Sequence, residues 1–208
     1  MEAKKKMVAL TFDDGPSETT TQEVLDILEQ YGIPATFFLI GELITEKTIP
    51  IMKRELELGC EIENHSYTHS DMTKLSAEEI REEIEKTSAA IRNAVGVEPK
   101  FFRPPYIYTN DMMFENIDLH FVVGMGCNDW IPDASAKERI DIFFENIKDG
   151  TMVLLHDLQG NVNTVEALPT MIEGLLEQGY TFVTVEELFR ANGVNPKQRY
   201  KMWTNIYE

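Results

Sequence analysis

Residues 7–12 form an almost unbroken apolar run that stops at Asp13-Asp14-Gly15-Pro16, the pattern of a strand buried on both faces. From residue 20 to 31 the apolar positions Val24, Leu25, Ile27 and Leu28 fall at helical spacing, and Gly32 closes the segment. The same alternation continues. Further strands are predicted at 35–40, 61–65, 100–103, 119–123, 151–155 and 180–183, and helices at 49–58, 76–96, 136–147, 164–178 and 186–191. Ser76, with Glu79 three residues later, makes a capping box for the long helix, and Gly96 ends it. The tail from Gly193 onward is polar and weakly patterned. Strand–helix alternation without an internal repeat, linker or composition break predicts one α/β domain over residues 1–208, built on a parallel sheet or barrel.

Composition narrows the partners. The chain has 208 residues, enough for one sizeable core. Its 36 acidic side chains against 19 basic ones give a net charge of −17, which argues against nucleic acid and anionic membrane as partners. A neutral or cationic substrate is compatible with that field. No apolar run of about 18 residues is present, so no membrane span is predicted. The start Met1-Glu2-Ala3-Lys4-Lys5-Lys6 lacks the apolar segment of a signal peptide. An abrupt entry into a core strand by residue 7 fits a catalytic module of a longer, exported or cell-surface protein; a cytoplasmic protein would look the same. Cys60 and Cys127 match no redox or metal spacing and are expected as free, buried thiols.

The unusual polar residues fall where predicted strands stop, which in parallel α/β folds is where sites gather. His65-Ser66-Tyr67-Thr68-His69 carries two imidazoles four apart, which share a face if the segment is helical and can then hold one metal ion. The doubled Asp13-Asp14 can divide labour, one carboxylate completing a two-histidine metal site and the other acting as general base. Arg103, between two aromatics and two prolines, is expected to pair with a carboxylate, because a buried guanidinium without one is costly. Asp129-Trp130 and Leu154-Leu155-His156-Asp157 add an acid–base pair and an apolar wall. Each feature alone is more often structural than catalytic.

Together they resemble the polysaccharide deacetylases of carbohydrate esterase family four, the NodB-homology domain. Five motifs appear in the family's order: Thr11-Phe12-Asp13-Asp14-Gly15-Pro16, His65-Ser66-Tyr67-Thr68-His69, Arg103-Pro104-Pro105-Tyr106, Asn128-Asp129-Trp130 and Leu154-Leu155-His156-Asp157. The motif-bearing core spans about residues 7–191. The resemblance implies a distorted (β/α) barrel with fewer than eight strands, and one divalent metal ion held by Asp14, His65 and His69. Zinc suits that ligand set best; cobalt, nickel and iron also fit it. It implies Asp13 as general base held by Arg103, His156 as general acid tuned by Asp129, and the Tyr106 backbone N–H as oxyanion donor. Trp130 and Leu155 would wall an acetyl pocket. Gly126 stands where the family commonly has a further Asp, Ile107 where glycine is common, and Ser70 where proline is common.

The implied activity is hydrolysis of acetyl groups from a polysaccharide or its oligosaccharides. The stretch Asn128-Asp129-Trp130-Ile131-Pro132 looks most like clostridial acetylxylan esterase modules, so O-deacetylation of xylan is the leading expectation. N-deacetylation of N-acetylglucosamine polymers is the close alternative, a silent carbohydrate-binding module the distant one.

Overall fold

The computed structural model describes residues 5–208. In chain order its elements are β1 (Lys6–Gly15), α1 (Thr20–Tyr31), β2 (Thr36–Leu39), α2 (Ile49–Glu57), β3 (Glu61–Asn64), α3 (Ala77–Val95), β4 (Phe101–Phe102), α4 (Asp111–Asn116), β5 (His120–Val122), β6 (Met125–Gly126), α5 (Ala136–Asn146), β7 (Thr151–His156), α6 (Val162–Glu177), β8 (Tyr180–Phe182), α7 (Val185–Ala191) and β9 (Met202–Trp203). Single 3-10 turns lie at Gly41–Leu43, Met72–Lys74 and Pro105–Ile107.

β1 is the hub because it is long enough to hold three partners. β7 pairs with Val8–Asp13 along one edge, while the opposite edge is shared by β8 at Lys6–Val8 and β2 at Thr11–Gly15. The strand order is β6-β7-β1-β2-β3-β4-β5-β9, with every ladder parallel. This is a curled parallel sheet wrapped by helices, the distorted barrel expected, but with nine strands among the described residues where fewer than eight were expected, because short pairings extend the sheet. Six strands have three or more residues; β4, β6 and β9 are two-residue pairings.

Side chains of a strand alternate between faces, and β1 shows the consequence. Val8, Leu10 and Phe12 point outward into the main core, with Val24, Leu25 and Leu28 of α1 and Leu168, Met171 and Ile172 of α6. Ala9 points inward, into a second cluster with Phe38, Phe101, Val122, Met152 and Trp203. Asp13 continues this inner set at the carboxyl end. The outer core forms the helices' anchor, and the inner cluster closes the barrel floor beneath the polar rim.

Both predicted helix punctuations are present: Gly32 at φ 63° ends α1, and the Ser76/Glu79 box with Gly96 at φ 77° brackets α3. The structure adds what periodicity missed. α4, with six residues, is too short to show a period; Asn110 caps it by accepting the Met113 N–H. The weakly patterned tail forms β9 and ties β5 to β7. The Val123 N–H donates to the Trp203 carbonyl at 2.8 Å, Ile206 N–H donates to Gly150, and Asn205 bridges Thr151. Trp203 and Ile206 are buried there. Cys60 and Cys127 are buried free thiols, and burial pushes each up to about 12.

Candidate active site

Parallel pairing brings the carboxyl ends of β1, β3, β4 and β7 to one rim, and the predicted polar residues lie there. β1 bulges between Asp13 and Gly15, with Asp14 at φ 71°. The bulge frees two successive carboxylates from strict alternation, so both reach the site. Gly15 is there for space: a Cβ would sit 2.5 Å from Oδ2 of the fully buried Asp157.

His65 and His69 converge, but not on a helix as their four-residue spacing suggested. The segment after β3 is a turn with Ser66 at φ 68° and His69 at φ 57°. Side chains shape it instead. Asn64 accepts the Ser66 N–H, and the Ser66 hydroxyl accepts the His69 N–H. Glu83 of α3 accepts the Tyr67 and Thr68 N–H groups on one oxygen, both at 2.9 Å, and the Thr68 hydroxyl at 3.0 Å on the other. Glu83 was invisible in the sequence, because its partners are backbone groups 15 and 16 residues away.

The Nε2 atoms of His65 and His69 lie 3.4 and 3.2 Å from Asp14 Oδ1. The ligand-capable atoms of these three residues lie within 4.8 Å of one another, the one such His/Cys/Asp/Glu group among the described residues. Asp14 Oδ1 is buried yet has no hydrogen-bond partner. His65 Nδ1, bonded at 2.6 Å to the Arg103 carbonyl, is the donor of that pair, which fixes the ring with Nε2 facing Asp14. An orphaned carboxylate oxygen with two imidazole nitrogens aimed beside it fits a divalent cation. The protonation states agree. Burial raises the Asp14 carboxyl, but His65 and the other imidazoles outweigh it and bring it down to about 2. His69 is held below its ordinary value, first by burial and then by His65, which favours the neutral ligand form.

Asp13 has a different partner. Its Oδ1 accepts from Arg103 Nη1 at 2.6 Å, with the two side chains 2% and 0% exposed. Burial lowers the Arg103 pKa, opposed by Asp13, and its guanidinium stacks 4.2 Å from the Phe38 ring. Its Nε and Nη2 are buried without hydrogen-bond partners. Asp13 Oδ2, 3.8 Å from His65 Nε2, faces the site.

Across the rim Asp129 grips His156 twice, Oδ1 on Nδ1 at 2.8 Å and Oδ2 on the backbone N–H at 2.6 Å. This leaves the opposite ring nitrogen for the cleft. Burial lowers the His156 pKa, but the Asp129 bond and charge, with Asp13 and Asp14 behind, raise it to about 9. Asp129 is itself fixed: Thr164 donates to its Oδ2, and the buried Arg139 donates to Thr164 and Asn161. These supports sit on α5 and α6, so only folding shows them.

The residues line a cleft of about 510 Å³, with Tyr106, Ile107, Tyr108, Gly126, Trp130 and Leu154 as its less polar walls. One assignment changes. Leu155, expected in the acetyl wall, is fully buried in the outer core opposite Phe12, and alternation along β7 puts Leu154 in the cleft instead. Gly126 is not needed for backbone conformation but for closeness, since a Cβ would lie 2.9 Å from the Trp130 ring. Tyr106 and Ile107 both have left-handed φ, 57° and 61°. A β-branched residue there is strained by roughly 1–3 kcal/mol, which accounts for glycine being common after the motif tyrosine.

A family model described as polysaccharide deacetylase matches residues 1–120. A bifunctional xylanase/deacetylase of Pseudobutyrivibrio xylanivorans is 55% identical over 202 residues, covering 97% of this chain; the chain spans 33% of that protein. Among solved structures, the Xyl-CE4 domain of a multidomain xylanase from the hindgut metagenome of Trinervitermes trinervoides matches with TM-score 0.96 and 55% identity, covering 98% of this chain and 99% of the other. A family 4 acetyl xylan esterase from Clostridium thermocellum, in complex with a cobalt ion, matches with TM-score 0.93 and 42% identity over 96% and 98% of the two chains.

Proposed function

The chain belongs to the polysaccharide deacetylase family, and on that premise we propose that it is a metal-dependent esterase removing O-acetyl groups from xylan. The observation that carries the hydrolase reading is the pairing, within one cleft, of a cation-fitting Asp14/His65/His69 set with two differently partnered proton carriers, Asp13 and His156. The xylan preference is supported by the likeness to an acetyl xylan esterase and to a xylanase-borne domain.

Asp14, His65 and His69 would hold the ion, zinc first among the candidates and cobalt an alternative. When bound, such an ion supplies Lewis-acid polarisation of a carbonyl and acidification of water. The chain's own residues do the rest. Asp13, oriented by its hydrogen bond from Arg103, accepts the proton of the attacking water. The Tyr106 backbone N–H donates to the oxyanion, a contact worth about 3 kcal/mol in comparable sites. His156, protonated at neutral pH by virtue of Asp129, gives its proton to the departing sugar oxygen. Trp130 and Leu154 exclude water around the acetyl methyl.

The test is acetate release by protein stripped of metal and reloaded with zinc or cobalt, on acetylated xylan and on N-acetylglucosamine oligomers in parallel. Metal-dependent release from xylan is expected. Release only from the amide substrate overturns the esterase reading, and no release from either overturns the deacetylase.

A further inference from the structure

One wall of the cleft carries a row of rings that extends away from the proton chemistry. The His69 ring meets Tyr106 edge-on at 4.7 Å between centroids, and Tyr106 meets Tyr108 at 5.8 Å with a 35° tilt. Both tyrosines line the cleft and both are 55% exposed. Their exposure is not incidental to a loose loop. Pro104 and Pro105 stiffen the approach, and the Ile107 and Tyr108 N–H groups donate to the Pro104 and Pro105 carbonyls. That network holds two consecutive non-glycine residues in left-handed conformation, so that residues 106, 107 and 108 all line the cleft. Backbone strain retained around exposed rings in a cleft points to a ligand rather than to folding.

We propose that Tyr108 forms a subsite for the sugar ring next to the acetylated one, stacking on the apolar face of a β-1,4-linked pyranoside. The inference rests on the polysaccharide reading of the same cleft and names a residue that the acetyl chemistry does not use. The ring ladder gives the direction: Tyr106 touches a residue of the cation-fitting set, so the sugar over it is the reacting one, and Tyr108 lies one ring farther out. A tyrosine suits the task, since it offers a large, rigid amphipathic face with only two side-chain torsions to fix. A neutral glycan offers no charge to pair with, so an aromatic face that stacks on its apolar side is the contact that suits it.

The experiment is calorimetric titration of the metal-reloaded protein with xylohexaose, which has no acetyl group and reports binding without turnover. Tyr108→Ala and Tyr108→Leu are expected to weaken binding about three- to tenfold, Leu because it keeps an apolar side chain but no ring face. Tyr108→Phe stays within about twofold of wild type. Melting curves coincident with wild type show that the effect is local, as expected for an exposed side chain. Equal affinity in wild type and both non-aromatic variants, or no binding of xylohexaose by wild type, overturns the subsite. Acetate release that persists beside an unchanged Tyr108→Ala affinity removes the subsite and leaves the deacetylase. Tyr108-dependent binding without acetate release does the opposite.

Discussion

Replacing Arg103 by methionine removes the cation from the most deeply buried Lys/Arg–carboxylate pair among the described residues. The pair is 2.6 Å long, its side chains are 0% and 2% exposed, and the rest of the guanidinium has no hydrogen-bond partner. Deleting one partner of such a pair strands the other charge in low dielectric, which costs about 3–5 kcal/mol. A chain of this size loses roughly 2–4 °C of Tm per kcal/mol, so the midpoint should drop by about 6–20 °C. Losing both charges is a different matter. In Asp13→Leu/Arg103→Met the two apolar side chains match the originals in shape, and neutralising both ends of a buried pair is often close to neutral. The double variant should therefore be no less stable than Arg103→Met alone, with a coupling of about 2–3 kcal/mol. The assay is guanidinium denaturation of metal-free protein, so that ion binding does not add its own stabilisation. If Arg103→Met costs under about 1 kcal/mol, or the two single changes simply add, the reasoning fails.

Four other outcomes follow from the geometry. Asp14→Ala or His65→Ala should abolish metal binding, whereas Asp13→Asn should keep the metal and lose turnover; an Asp13→Asn protein that fails to load metal contradicts that division. His156, at about 9 in the folded protein against roughly 6.5 unfolded, stabilises fully below about pH 6.5 and loses that contribution as pH rises through 9. Metal-free wild type should thus lose about 3 kcal/mol between pH 6 and 10, a slope that His156→Gln should flatten, and acid catalysis should fail over the same alkaline limb. Glu83→Ala, by releasing the histidine turn, should lower metal affinity about 10- to 100-fold in a chelator competition; unchanged affinity would show that the turn holds itself. Leu155→Ala should cost about 2–5 kcal/mol of stability with little change in KM, whereas Leu154→Ala, at a side chain that is also buried but lines the cleft, should raise KM as well as lower stability.

The amino-acid sequence by itself determined the α/β architecture, because apolar runs and helical spacing follow from local geometry and need no partner. It also placed Asp13-Asp14, His65, Arg103 and His156 at strand ends, since a strand ends where its apolar run does. The Ser76 capping box and the Gly32 stop were legible for the same reason: all their partners lie within four residues. The residue pairings came through resemblance, and their geometry only through the fold. Asp13 and Arg103 are 90 residues apart, and Asp129 and His156 are 27 apart. Tertiary structure alone decided which leucine of the doublet 154–155 faces the cleft, because in a strand one position reverses the face and the sequence repeats the same residue. It alone made the His65–His69 segment a loop pinned by Glu83, where the spacing had left a helical arrangement open, and made the polar tail into β9. In each case the deciding contact joins groups distant along the chain, where no local pattern registers.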